Sequence, residues 1–589
     1  MTKRVSRSRT FLSITLASQL AFSGPALAGD TAPSRTPDDD ATIAHVLNRL
    51  TFGATPTEIA RVRGTGLQAW IEAQLGPAQG EDKALAARLA LLPSLALTTS
   101  ELREKYEIPP NLRQEVQKAR AEREEAVEKA RTKGGEDTPP EAMGSPMERR
   151  AEREDMIKRF PELSKLAGSP AQVISDLQAG KVLRAVYAER QLEEVMVDFW
   201  FNHFNVFARK GPVEFMVNEY ERSLRKNALG KFEDLLVSTA RSPAMLFYLD
   251  NWQSTDPDFS PRAGQRARNR RSRNRPSPPA EGMGQPEGGQ PAMTSAPPRR
   301  TFGINENYAR ELMELHTLGV DGGYTQADVI EVAKAFTGWT ILGEGPGGPR
   351  RNKETHFSFE EARHVKGDKK VLGVTIRNGG EKEGLQILYL LATRPATATF
   401  IATKLIRRFV SDTPPAALVR KAAATFEKTG GDIREVVRTI VTSDEFLGPD
   451  FRKAKIKTPF EFVVSAVRAF GANVRNARDL AQHIGAMGMP LYLQQPPTGY
   501  KDTAEEWIST SALLERMNFA LDLAAGRIRG VRLADSAAAD SSLDAVAEKI
   551  LPGGLSQASK KTLEAEAEKD RGEARLVGLV LGSPEFQRR

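Results

Sequence analysis

From Ala41 to Leu75 apolar residues recur at helical spacing, broken at Gly53-Ala54-Thr55-Pro56, where Thr55 can cap a helix that has Pro56 at its first position. The chain therefore opens as two short packed helices. Val195 to Phe207 is apolar or aromatic in nearly every direction. At about 100° per residue, Asp198, Asn202 and Asn205 fall on the one narrow polar stripe. A further helix is predicted from Asn305, as cap, to Gly319. Its polar half holds Glu306, Asn307, Arg310, Glu311 and Glu314, and its apolar half Tyr308, Ala309, Leu312, Met313 and Leu315. Thr325 and Asp328 then form the reciprocal cap of the next helix, which runs to Gly338 and places Trp339 at its end. The period changes only between Thr340 and Ile376, where His356-Phe357-Ser358-Phe359 and Val371-Leu372-Gly373-Val374 flank turn residues and predict one β-hairpin.

These patterns predict a mainly α protein: a multi-helix globular array with one small β-hairpin and a disordered insertion. An N-terminal helical part spans 41–250. Within it lies a charged arm near 111–155, where the Glu-, Arg- and Lys-rich Asn111 to Arg131 is followed by the breakers Gly134 to Pro146. Asp256 to Arg300 is dominated by Pro, Gly, Arg, Ser and Gln and lacks the apolar residues to offset the entropy of ordering. A C-terminal helical part covers 301–530, with the hairpin near 355–376. A peripheral helical tail, rich in Ala, Lys and Glu, covers 535–589.

The first 28 residues change this picture. Lys3, Arg4, Arg7 and Arg9 precede an apolar stretch from Phe11 to Phe22, then Pro25 and Ala26-Leu27-Ala28. That is the pattern of a secretory signal peptide cut after Ala28. The apolar stretch is shorter than the ~20 residues of a spanning helix. General secretion is favoured over the twin-arginine route, because Ser8 splits the paired arginines. A periplasmic or secreted destination follows, and a mature chain without a transmembrane segment. There is no cysteine, so neither disulfides nor thiolate-bound metals contribute. The formal charge of +8 is misleading. Without the four positives of the leader and the net five of the Arg-rich insertion, the remainder stands at about −1. Nucleic acid is therefore not the expected partner, and the Arg266 to Arg275 run suits an anionic polymer at most.

The zinc-protease helix, the Gly-x-Ser-x-Gly elbow and the phosphate-binding loop are absent. Gly343 to Gly348 matches a dinucleotide fingerprint in letters, but Pro349 and the charges after it open no helix. Asp321-Gly322-Gly323 reads as a tight turn. Two helices could carry a site. Asp198, Asn202 and Asn205 form either a thin solvent-facing edge or a polar stripe facing a partner. Glu306, Arg310 and Glu314 are spaced as a salt-bridge ladder, whereas Glu311 and Glu314 beside Arg310 are the types that general acid and base catalysis uses. His203 and His316 project from apolar faces. His356 and His364, with Lys369 nearby, could approach one another across the hairpin. Gln494 to Tyr500, followed by Trp507, is a Pro-fixed aromatic loop suited to carbohydrate or to packing.

Together these segments resemble the bacterial exported family called domain of unknown function 1800 (DUF1800). The resemblance rests on His45 to Ala54, on Phe199-Trp200-Phe201-Asn202-His203-Phe204, and above all on Asn305 to Gly319. It continues through Thr337-Gly338-Trp339, His364 with Gly367 and Lys369, Phe409-Val410-Ser411-Asp412, and Thr458-Pro459-Phe460-Glu461. Phe201 stands where related sequences commonly carry a His, and Val365 where they carry an Asp. Membership implies export and, often, an exported sulfatase-like partner, but no settled reaction, cofactor or metal. The leading expectation is a cell-envelope enzyme or glycan-binding protein. Asp198, Glu311 and Glu314 are its candidate catalytic groups, and Asn202, Asn205, Asn305, Glu306, Arg310, Trp339, His203, His316 and His364 its candidate binding groups. The alternatives are a non-catalytic assembly protein acting with an exported partner, and a metal-dependent hydrolase using His316, His203 or His364.

Overall fold

The computed structural model describes residues 39–77, 80–109, 112–119, 121–122, 125, 154–259, 303–342, 355–533, 542–567 and 573–589. The leader, most of the Arg-rich insertion and the Gly343 to Gly348 run lie outside the described residues. The described chain is mainly helical, with three two-stranded antiparallel sheets. No described helix is long and apolar enough to cross a membrane.

The chain divides into two compact units. One takes the described residues up to Phe232 together with Ala398–Arg589, and the other is Glu233–Thr397. In the first, Thr55 caps the helix Pro56–Thr65 through the Glu58 amide, with Pro56 in its first turn. The helix Gln191–His203 runs through the core, where Val195, Met196, Trp200 and the following Phe204 are fully buried. The Trp200 indole N–H still finds the Ala228 carbonyl at 2.9 Å, as a buried indole must. At the C-terminal end, the helices Thr510–Ala524 and Glu573–Gly582 pack together. Ile456 and Arg588 pair as an antiparallel bridge. Among the described residues at the two ends of the charged arm, Leu112, Val116, Ala119, Met156 and Phe160 form a small apolar cluster.

In the second unit, Asn305 caps the helix Glu306–Glu314 by accepting from the Tyr308 amide at 3.0 Å. This helix stops five residues short of Gly319. Thr325 and Asp328 form the expected capping box of the helix Gln326–Ala335. The hairpin expected near 355–376 divides into two ladders. Strand Trp339–Leu342 pairs with His356–Phe359, and Lys369–Val371 pairs with Val374–Ile376 around Leu372 and Gly373. Both turn residues have positive φ, 50° and 80°, which closes a two-residue hairpin locally and frees the 356–359 strand for an earlier partner. The helix Glu381–Ala392 lies against Trp339 so closely that a Cβ on Gly384 would sit 2.4 Å from the indole ring.

Gly384→Ala must therefore push the indole or the helix aside. It is expected to destabilise the protein by about 1–3 kcal/mol despite alanine's better helix propensity. Chemical denaturation would show a lowered midpoint, and an unchanged or raised midpoint would contradict this packing.

Candidate functional site

The polar stripe of the helix Gln191–His203 is occupied by the protein itself. Asp198 pairs with Lys181 at 2.7 Å. The Lys181 ammonium also lies 5.2–5.5 Å from the ring centres of Tyr492, Phe460 and Phe201. Asn202 exchanges two hydrogen bonds with the Tyr500 backbone, donating to its carbonyl at 2.8 Å and accepting from its amide at 2.7 Å. Asn205 donates to the Gln494 and Pro496 carbonyls at 2.9 and 2.8 Å. The partner of the two amides is thus the Pro-fixed loop Gln494 to Tyr500. Gly499 has φ +69°, and a Cβ there would lie 2.2 Å from the Asn202 carbonyl oxygen. His203 is buried among Trp200, Phe204 and Phe400.

The other candidates belong to the second unit. Glu306 and Arg310 meet on Gln326, which donates to Glu306 at 2.7 Å and accepts from Arg310 at 2.6 Å. Glu314 accepts from the Tyr324 hydroxyl at 3.3 Å. Burial, and then the neighbouring Glu314 charge, raise the Glu311 carboxyl above its ordinary value against the pull of Arg310. Asn305 is the helix cap, its amide also donating to the Leu249 carbonyl at 2.7 Å. Trp339 and His316 are buried. Asp198 and Asn202 thus stand in one unit and Glu311 and Glu314 in the other.

The arrangement with the most chemistry is centred on a residue that sequence reasoning passed over. Glu383 is fully buried. Its Oε1 accepts from the Gly379 and Gly380 amides at 2.8 and 3.1 Å and lies 3.2 Å from His364 Nε2. Its Oε2 lies 2.6 Å from Lys369 Nζ. The other ring nitrogen of His364, Nδ1, faces the Thr337 carbonyl at 2.9 Å. Thr337 Oγ1 accepts from the Val365 amide at 2.9 Å and donates to the Lys334 carbonyl. His364 Nδ1 thus faces the Thr337 carbonyl and Nε2 faces the Glu383 carboxylate. His364 and Lys369, two positions that carry the family resemblance, thus converge on one carboxylate, and a third, Thr337, backs His364. Burial works against its charge, but Lys369, the glycine amides and His364 outweigh it and hold the Glu383 carboxyl below its usual range. His356, expected beside His364, is exposed on its strand opposite Leu342.

His364 also lines a cleft of about 620 Å³, together with Phe359, Lys366, Asn378, Gly380 and Lys382. Phe359 is half-buried, and Lys366, Asn378 and Lys382 are exposed. Among the described residues, no group of three or more His, Asp or Glu side chains is placed to hold a metal ion.

The fold and this site define a mainly helical protein of two compact units, each with buried and internally paired charge. The family model described as "Protein of unknown function (DUF1800)" matches residues 45–588, and the chain belongs to that family. No curated protein and no solved structure gives a significant match.

A folded-state carboxyl value below the unfolded value of about 4.3 adds stability that is complete above that range. This stability is lost as pH falls through the folded value. Wild-type protein is therefore expected to weaken steeply on acidification below about pH 5. Glu383→Gln should be about 3 kcal/mol less stable at neutral pH and should show a shallower acid slope. Equal acid slopes in urea titrations of the two proteins would show that Glu383 does not carry this dependence.

Proposed function

We propose that the chain acts outside the cytoplasm as a glycan-binding protein of the cell envelope, and that the cleft beside His364 in the second unit takes the saccharide. The observation that carries this reading is the make-up of the cleft. Phe359 offers an aromatic face on which the C–H side of a sugar ring can rest. Around it Lys366, Lys382, Asn378 and Glu361 supply both donors and acceptors, as hydroxyl groups require. Exposed charges of both signs suit a neutral polyol better than a polyanion. The less exposed charges at the wall are already paired, Glu383 with His364 and Lys369, and Glu381 with Arg241. They set the shape of the cleft and leave recognition to the exposed groups. Export is supported by the leader pattern of the first 28 residues.

Calorimetric titration with soluble cell-wall glycan fragments tests this reading. The wild type should bind, and Phe359→Ala, measured at a temperature where it is fully folded, should weaken binding by roughly tenfold, or about 1.4 kcal/mol. No binding, or binding indifferent to Phe359→Ala, would overturn it.

A further inference from the structure

A second cleft lies in the first unit and shares no residue with the one beside His364. It holds about 170 Å³, and its wall combines Leu91, Leu92, Ala179 and Leu183 with Arg88, Arg475 and Arg478. The floor is apolar. The helix Pro170–Tyr187 presents Ala179 and Leu183, four positions apart and therefore on one face, beside Leu92, and all three are buried. Leu91 stands at the rim, 70 % exposed.

The three arginines on this wall differ in how they are held. The Arg88 guanidinium lies 3.9 Å from the centre of the Tyr187 ring, and its Nη1 donates to Asn473 Oδ1 at 3.3 Å and to the Val474 carbonyl at 3.2 Å. Tyr187 is itself fixed, its hydroxyl donating to the Ala472 carbonyl at 3.1 Å and accepting from the Val474 amide at 2.7 Å. Arg88 is thereby pinned to the strand Asn473–Val474, directly before Arg475, by partners that are all neutral. Arg475 is exposed, and among the described residues its side chain has no partner. Only its backbone amide is bonded, to the Gly530 carbonyl at 2.7 Å. Arg478 is neutralised by the fully buried Asp176 at 2.6 Å, and Asp479 beside it is taken by Arg529 at 2.9 Å. Among the described residues, the charges of Arg88 and Arg475 are therefore left uncompensated.

Two unpaired cations beside an apolar floor complement a ligand with one anionic end and one apolar end. A guanidinium pairs with a carboxylate through two parallel N–H groups. Arg475 has its whole fork to offer, and Arg88 has Nε and Nη2 beyond the Nη1 that holds it to the strand. A polyanion would meet the charges and leave the floor bare, whereas a neutral apolar chain would cover the floor and leave the charges unpaired. The cleft is smaller than the about 300–1,000 Å³ of sites that enclose drug-sized ligands, so the apolar part it covers is short.

We propose that this cleft binds a carboxylate carrying a short apolar chain, the chemistry of an apolar C-terminal residue of a polypeptide or of a free short-chain acid. Arg475 and Arg88 take the carboxylate, and Leu91, Leu92, Ala179 and Leu183 cover the chain. The site does not depend on the glycan cleft of the other unit, and either can fail alone.

Ligand-observed NMR titration of the full chain tests this with N-acetyl-leucine, 4-methylpentanoate, N-acetyl-leucinamide and inorganic phosphate. The proposal predicts saturable binding of a carboxylate probe, the tighter of the two giving the source as peptide end or free acid. The uncharged amide and the tail-less phosphate should each bind roughly tenfold more weakly, or worse. Arg475→Gln, which removes an exposed side chain without a partner, should weaken the carboxylate by about fivefold or more and leave Tm in place. Leu91→Ser at the rim should weaken the carboxylates and leave phosphate unaffected. No saturable binding, phosphate binding as tightly as the carboxylates, or indifference to Arg475→Gln would overturn the proposal.

Discussion

A carboxylate survives removal from water only when hydrogen bonds and opposite charges replace the solvent it loses, and each unit of this protein buries such a group at the start of a helix. Glu383 in one unit and Glu461 in the other occupy the third position of a helix and hydrogen-bond back to the residue that caps it. Each is held by two cationic or ring partners from distant segments: Lys369 and His364 for Glu383, and Arg408 and Arg589 for Glu461. The helix start fixes the carboxylate, and the carboxylate in turn fixes where the other segments must lie. Removing a single partner would leave an uncompensated charge in the core, at a cost of roughly 3–5 kcal/mol. Such a site tolerates little substitution even if it performs no chemistry.

This constraint gives a physical reason why several family motifs are scattered in sequence and close in space. His364 and Lys369 gather on Glu383, with Thr337 behind His364. In the other unit, Asn202 and Asn205 fasten the loop from Gln494 to Tyr500, and Asp198 is neutralised by Lys181. Asp198, Asn202 and Asn205, polar by type, thereby also hold the chain. The cleft beside His364 is walled by less conspicuous groups, Phe359, Lys366, Asn378 and Lys382.

Local patterns were legible in the sequence because they depend on neighbours a few residues apart. The caps at Thr55, Asn305 and Thr325 are where the side-chain chemistry places them, and the helical character of most of the chain follows from its apolar period. Family membership was legible for the same reason, being written in short runs. Two features were not. The strand 356–359 turns away from the residues after it, because the Leu372-Gly373 turn closes its own two-residue hairpin. Glu383 gave no signal beyond its place at a helix start after Gly380, since its partners lie 14 and 19 positions earlier at Lys369 and His364. Spacing along a helix cannot reveal a pairing that exists only after the units have folded.

The central claim is that Lys369 and His364 act through Glu383 and not as independent surface groups. A double-mutant cycle with Lys369→Met and Glu383→Gln, read by urea unfolding at neutral pH, tests it most directly. The account predicts a coupling energy of about 1–3 kcal/mol, with the double variant no less stable than the weaker single variant. Additive losses would mean that the two side chains do not share this buried pair, and would contradict the account.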